Sequence, residues 1–185
     1  MRLMFESETF ITSCLSALDE HTPELAIKEL VAEAVSRPSE VQATLGPATQ
    51  AGLIPLYRSE RLTVLKVLWA PGMSLYPHEH RMWAVIGIYG GQEDNVFYRR
   101  TNELIAPASG RDLEVKDTVL LGADVVHAVT NRQRVFAEAI HIYGGDFFGT
   151  PRNEWDPDTL EARPFDLERA MAVFAKANEA LTAGT

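Results

Sequence analysis

The pattern of apolar and polar positions changes period near residue 50. Before that point apolar residues recur at three- and four-residue spacing, the signature of amphipathic helices. Residues 5–20 place Ile11, Cys14, Leu15 and Leu18 on one stripe. Thr22-Pro23-Glu24 then reads as a helix start, with Thr as N-cap, Pro at the first helical position and Glu in the first turn. Ile27, Leu30, Val31 and Ala34 supply the buried face of that second helix. Pro38 interrupts the pattern, and 38–45 is predicted as a short third helix ended by Gly46-Pro47.

From residue 53 the runs are short, rich in β-branched and apolar residues, and cut by turn residues, which predicts strands. LIPLYRS and RLTVLKVLWA are the first two. The stretch WAPGMSLYPHEHRMWAVIGIYGG, residues 69–91, follows as strand, Pro71-Gly72 turn, strand, the apolar run Trp83 to Ile88, and a Gly90-Gly91 turn. EDNVFYRR is another strand before a polar loop; LEV, TVLLGADVVHAVTN and VFAEAIHIYGG continue the series. GTPRNEWDPDTLEARPFD reads as a loop, and Asp166 caps a final helix with a stripe of Leu167, Ala170, Met171, Phe174 and Leu181, expected to pack on the outside. The class expected is mainly β, a small barrel or jelly roll. We expect one domain over 1–185, with a helical layer at 1–48, a barrel at 50–150, and a loop and helix at 151–185.

Composition narrows the function. At 185 residues the chain is long enough for a substantial core. A net charge of −9, with no basic run, speaks against a nucleic-acid or anionic-membrane surface. No apolar segment approaches the ~20 residues needed to cross a bilayer. The start MRLMFESETF is acidic and polar where a signal peptide would be apolar, so a cytoplasmic location is expected. The single cysteine, Cys14, excludes an internal disulfide framework and a CxxC site, and its place on an apolar stripe marks a structural thiol. Any metal must be held by histidines and carboxylates. An exposed barrel sheet edge would make a homodimer unsurprising.

Four of the five histidines, His78, His80, His127 and His141, fall in predicted strands; His21 sits at a solvated helix start. On an extended strand His78 and His80 point to one face, where two imidazoles can grip one ion. His127, in a strand after a Gly turn, is placed to face them from a second hairpin. Taken alone it fits a hydrogen-bonded core histidine equally well. Three neutral imidazoles would leave open coordination positions.

Gly72, His78 and His80, then Gly122, His127 and Asn131, resemble the two sequence motifs of cupins. The Glu ligand usual about four residues after HxH is replaced here by Ala84. A three-histidine cupin without that Glu is similar to the thiol dioxygenases, the cysteine and 3-mercaptopropionate dioxygenases. Those enzymes carry a Ser-x-His-x-Tyr relay on a late strand; this chain has His141 and Tyr143, with Ala139 in place of the Ser. The animal-type Cys–Tyr crosslink is excluded, since Ala84 stands at about the cysteine position.

The resemblance implies a double-stranded β-helix holding Fe(II) on His78, His80 and His127, with Zn, Mn or Ni as alternatives. A small thiol and O2 would react there to give a sulfinate, Tyr143 acting on the reacting groups and His141 orienting it. Arg152, or its rival Arg58, would bind a substrate carboxylate, as a guanidinium can do bidentately; a surface ion pair is the other reading of either. Trp155, in a segment read as a lid, would close the pocket, and Trp83 would line it or fill the core. Another metal-dependent cupin chemistry (non-thiol dioxygenase, lyase or isomerase) or a non-catalytic ligand-binding cupin are the competing expectations.

Overall fold

The computed structural model describes residues 4–101 and 104–183. The outermost positions of the expected domain, 1–3 and 184–185, lie outside the described residues, as does the pair 102–103.

Three helices open the chain: α1 (Ser7–Ala17), α2 (Pro23–Val35) and α3 (Pro38–Leu45). Pro23 stands in the first turn of α2 and Thr22 at its N-cap, as expected, but the Thr22 side chain makes no capping bond. Gly46, at φ 76°, ends α3. Cys14 is fully buried, and burial pushes its thiol up to about 12, consistent with a structural role.

The strands are β1 (Gly52–Arg58), β2 (Thr63–Trp69), β3 (Ser74–Glu79), β4 (Ala84–Gly90), β5 (Gln92–Thr101), β6 (Leu104–Glu114), β7 (Thr118–Leu121), β8 (Val126–Thr130), β9 (Ala137–Tyr143), β10 (Asn153–Trp155) and β11 (Ala162–Pro164); α4 (Leu167–Ala183) follows. They form two antiparallel sheets, ordered β1-β2-β9-β4-β7 and β11-β10-β3-β8-β5-β6. From β2 to β9 the chain crosses between sheets at each step except the β5–β6 hairpin. The resulting sets, β2-β9-β4-β7 and β3-β8-β5-β6, are the jelly-roll order of a double-stranded β-helix, the cupin fold.

The first sheet is covered on both faces. Outside, α1–α3 pack on Val64, Val85, Tyr89, Ile140 and Ile142; inside, Leu65, Val67, Ile86, Ala139 and Tyr143 face the barrel. Double burial explains why TVLKVLW and AVIGIYG are nearly continuous apolar runs rather than alternating ones. Gly87 lets α2 come close, because a Cβ there would overlap the side chains of Val31 and Val35.

Three expectations need correction. The polar loop after β5 is largely a strand, β6; it lies at a sheet edge with most residues exposed, so neither face demands the apolar alternation that would mark it. The 149–166 loop contains β10 and β11, and β10 pairs with β3 through Glu154 and His78. The final helix begins where expected, with Asp166 Oδ1 accepting from the Glu168 N–H at 2.9 Å, but its stripe turns inward. Ala170 and Phe174 are buried with the barrel core, and Phe174 stacks on Trp69 with ring centroids 5.3 Å apart. Among the described residues, no helix is long and apolar enough to cross a membrane.

Gly87→Ala should destabilise the protein by about 1–3 kcal/mol, because overpacking is relieved only by moving α2. Gly122→Ala, where a Cβ meets nothing within 4 Å, should leave the thermal midpoint unchanged. Equal midpoints for both variants in a calorimetric melt would contradict the close approach of α2.

Candidate metal centre

His78 lies near the end of β3, and His80 follows it directly beyond the strand end. The registry of β3 and β8 sets His127 directly opposite His78. All three rings are buried, and one ligand atom from each lies within 4.8 Å of the others. This is the convergence expected of His78, His80 and His127 from their spacing.

The hydrogen bonds decide which nitrogens face inward. His78 Nδ1–H donates to the Tyr76 carbonyl at 3.0 Å. His127 Nδ1–H donates to Asn95 Oδ1 at 2.8 Å. Asn95 is held in that orientation because its Nδ2 donates to Glu93 Oε1 at 3.2 Å. Both rings therefore present a bare Nε2 to the cluster. His80 Nε2 lies 3.0 Å from His127 Nε2, a spacing at which two lone pairs repel unless a proton or cation lies between them. Burial, reinforced for His80 and His127 by neighbouring histidines, disfavours the imidazolium form. His78 is pushed down to about 4, and the other two fall well below their usual value. Neutral imidazoles with Nε2 converging, two of them steered through Nδ1, fit a divalent metal. His80 Nδ1 is buried without a partner.

A small cavity of about 20 Å³ adjoins the cluster, of the order of one water's space. His141, Tyr143, Trp69, Phe147 and Phe165 help to line it. His141 Nδ1 lies 3.0 Å from the Tyr143 hydroxyl, and the Tyr143 ring packs 4.9 Å from that of His80. Burial, with the Glu93 charge adding to it, raises the phenol far above its usual value, so Tyr143 is neutral.

Glu93, Asn95 and Trp69 went unrecognised in the sequence as parts of the site. Glu93 Oε2 accepts from Trp69 Nε1 at 2.9 Å and from His141 Nε2 at 3.2 Å. Burial alone would raise the Glu93 carboxyl, but the His141 ring, together with the N–H donors of Asn95 and Trp69, outweighs it and holds the group below the ordinary carboxylate value. The available signal was a Glu and an Asn two residues apart in a predicted strand, on one face.

The other expected residues lie elsewhere. Arg58 is half exposed and bound bidentately to Asp146, at 2.8 Å through both Nε and Nη2, so it is committed at the surface. Trp83 sits just before β4 with its indole against Gly144 and the helix-covered cluster, not the cavity. Trp155 is buried on the far side of the second sheet with Ile105 and Val126, and the segment read as a lid is β10. Arg152 is the exception. It is buried, stacked over Phe147 at 4.4 Å and Phe165 at 3.9 Å, two rings that line the cavity. Its Nη1 donates to the carbonyls of Phe147 at 2.5 Å and Thr150 at 3.1 Å, while Nε and Nη2 have no partner.

Strand order and donor set together define a class: a cupin-fold protein whose barrel holds a three-histidine cluster able to bind a metal. No protein-family model and no curated protein matches the sequence. Solved structures with a similar barrel include an RmlC-like cupin family protein from Methanocaldococcus jannaschii, 11% identical over 55% of this chain and 85% of that one, with a TM-score of 0.46. A cupin superfamily protein from Desulfitobacterium hafniense is 19% identical over 56% of this chain and 87% of that one, TM-score 0.44. A DMSP lyase from Ruegeria pomeroyi is 18% identical over 52% of this chain and 48% of that one, TM-score 0.43. The fold assignment rests on the strand order itself.

The buried histidines make the metal-free protein acid-sensitive. Unfolded, each takes a proton near 6.5; folded, His78 resists until about 4 and burial holds the other two well below 6.5. Below 6.5 the unfolded state binds more protons, so stability falls as pH is lowered from 6.5 toward 4. The thermal midpoint of metal-free protein should drop across that window, and replacing His78 by Gln should flatten the drop. An unchanged slope in the variant would contradict the neutral, buried state of His78.

Proposed function

We propose that this protein is a metal-dependent cupin enzyme that oxidises a small thiol to a sulfinate with O2, using Fe(II) held by His78, His80 and His127. The observation that carries the reading is the buried His141–Tyr143 pair, 3.0 Å apart, set against the three converging imidazoles in a mainly apolar cavity. Iron in such a site supplies affinity for sulfur and the redox chemistry of oxygen.

The rest is the work of this chain. His141 Nε2–H is directed at Glu93, so Nδ1 is the acceptor for the Tyr143 O–H. A thiol entering as R–SH passes its proton to the Tyr143 oxygen while the Tyr143 proton moves to His141 Nδ1. The products are a thiolate and an imidazolium facing the Glu93 carboxylate. With His141 doubly protonated, the Tyr143 O–H is free to turn and donate into the cavity. Phe147 and Phe165 exclude water, and their displacement admits a substrate carboxylate to the unpartnered Nε and Nη2 of Arg152. Burial lowers the Arg152 guanidinium to about 10, which leaves it charged at neutral pH. The cavity favours a small substrate, and a cytoplasmic location would keep thiols reduced.

Anaerobically Fe(II)-loaded protein should consume O2 when given cysteine or 3-mercaptopropionate, with sulfinate formed in step, and should respond less to cysteamine, which has no carboxylate for Arg152. Tyr143→Phe should lower kcat by roughly 10²-fold with iron content unchanged, the usual scale for a positioned proton-transfer group. No uptake with any thiol despite iron in the site would overturn the proposal. Substrate elimination without O2 would move the assignment to a lyase.

A further inference from the structure

We propose that Glu93 is the positioning residue of this site: one buried carboxylate that sets both the proton on His141 and the aim of His127. The inference rests on His141 and Tyr143 forming the proton relay proposed above, but its test needs no turnover.

Glu93 is fully buried on β5, in the sheet opposite the β9 residues His141 and Tyr143. Three N–H groups converge on it: Trp69 Nε1 at 2.9 Å and His141 Nε2 at 3.2 Å on one oxygen, and Asn95 Nδ2 at 3.2 Å on the other. Among the described residues, His141 is the one basic side chain within ion-pair distance of Glu93. An ionised carboxylate only accepts, and this has two consequences. His141 must carry its proton on Nε2, which leaves Nδ1 to the Tyr143 hydroxyl. The Asn95 amide must turn its NH2 toward Glu93, so its Oδ1 takes the Nδ1–H of His127 at 2.8 Å and Nε2 of His127 points into the cluster. Ala139, on the same inward face of β9, has only a methyl group where a relay hydroxyl was expected by resemblance. Glu93 supplies the acceptor for His141 from across the barrel instead.

A glutamine of the same shape cannot do both tasks. It offers one acceptor oxygen and one NH2 to three donors. Because the Trp69 indole can only donate, the amide oxygen must keep the position that Trp69 and His141 share and the NH2 must face Asn95. The arrangement that leaves no donor facing a donor then turns the Asn95 amide over and moves the His127 proton to Nε2.

The direct test is ring-nitrogen NMR of substrate-free protein labelled with 15N histidine and loaded with Zn(II), with the His141 signals assigned by their loss in His141→Gln. The wild type should show the His141 proton on Nε2. Glu93→Gln should weaken Zn(II) binding, read by chelator competition, by roughly 10-fold or more, the scale of outer-shell ligand partners, with the His141 proton still on Nε2. Glu93→Leu, which offers no acceptor, should lose both the affinity and the Nε2 proton of His141. Asn95→Ala should weaken Zn(II) binding while leaving the His141 tautomer in place, which separates the two arms. A bare Nε2 on His141 in the wild type would overturn the proposal even if Glu93→Gln failed to fold. So would a folded Glu93→Gln with wild-type Zn(II) affinity, or a folded Glu93→Leu with the His141 proton still on Nε2. Because Zn(II) supports no oxygen chemistry, failure of thiol oxidation and failure of this inference are read separately.

Discussion

A carboxylate buried between two sheets is the constraint on which the site depends. Removing a charge from water costs several kcal/mol even after relaxation, and the cost is met only where donors are already in place. Around Glu93 those donors are the Trp69 indole, the Asn95 amide and the His141 ring, each from a different position in the barrel wall. Each donor that satisfies Glu93 is thereby fixed in orientation, and two of them pass that orientation on: Asn95 to His127, and His141 to Tyr143. Energetics and geometry are the same fact here, since the bonds that make the charge tolerable also aim the functional nitrogens.

The scaffold makes such precision possible. The first sheet is clamped between the barrel core and the helical layer, so β9 cannot shift to relieve strain around His141 or Tyr143. α4 closes the interior through Phe174 on Trp69, the same indole that donates to Glu93. On the second sheet, Glu79 faces away from the cavity between the two histidines, paired with Arg100 and accepting from the Asn153 N–H at 3.0 Å. The strand that carries the ligands is thus tied to β10, next to Arg152. The outer face of this strand carries Glu79 and its ion pair, and the inner face His78 and His80, as strand alternation requires.

The first helices, most of the barrel strands and the three histidines were legible in the sequence because each depends on local period or on residue types with few other uses in a strand core. The pairing of His141 with Tyr143 was legible for the same reason, being two positions apart on one strand. Glu93 and Asn95 were not, because a charged residue in a strand ordinarily marks the solvent face and only the three-dimensional register shows that this one points inward. Strand β6 was hidden by the opposite circumstance: exposed along most of its length, with only Ile105 and Leu113 buried, it has no pattern to show. Trp155 was assigned to the pocket from proximity in sequence, and Trp83 to the pocket or the core; which side of a sheet a residue faces depends on the register, and the structure puts Trp155 on the far side and Trp83 with the helix-covered core. Arg152 had Arg58 as a rival in the sequence; the structure shows Arg58 bound by Asp146 and Arg152 buried with two unpartnered nitrogens.

The most direct measurement of the central claim is X-ray absorption at the iron edge of anaerobic Fe(II)-loaded protein, before and after addition of 3-mercaptopropionate. The account predicts a first shell with three imidazole nitrogens and, on addition of the thiol, a new sulfur scatterer bonded to iron. Fewer than three imidazoles would contradict the convergence of His78, His80 and His127, and an unchanged shell at saturating thiol would contradict a thiol substrate.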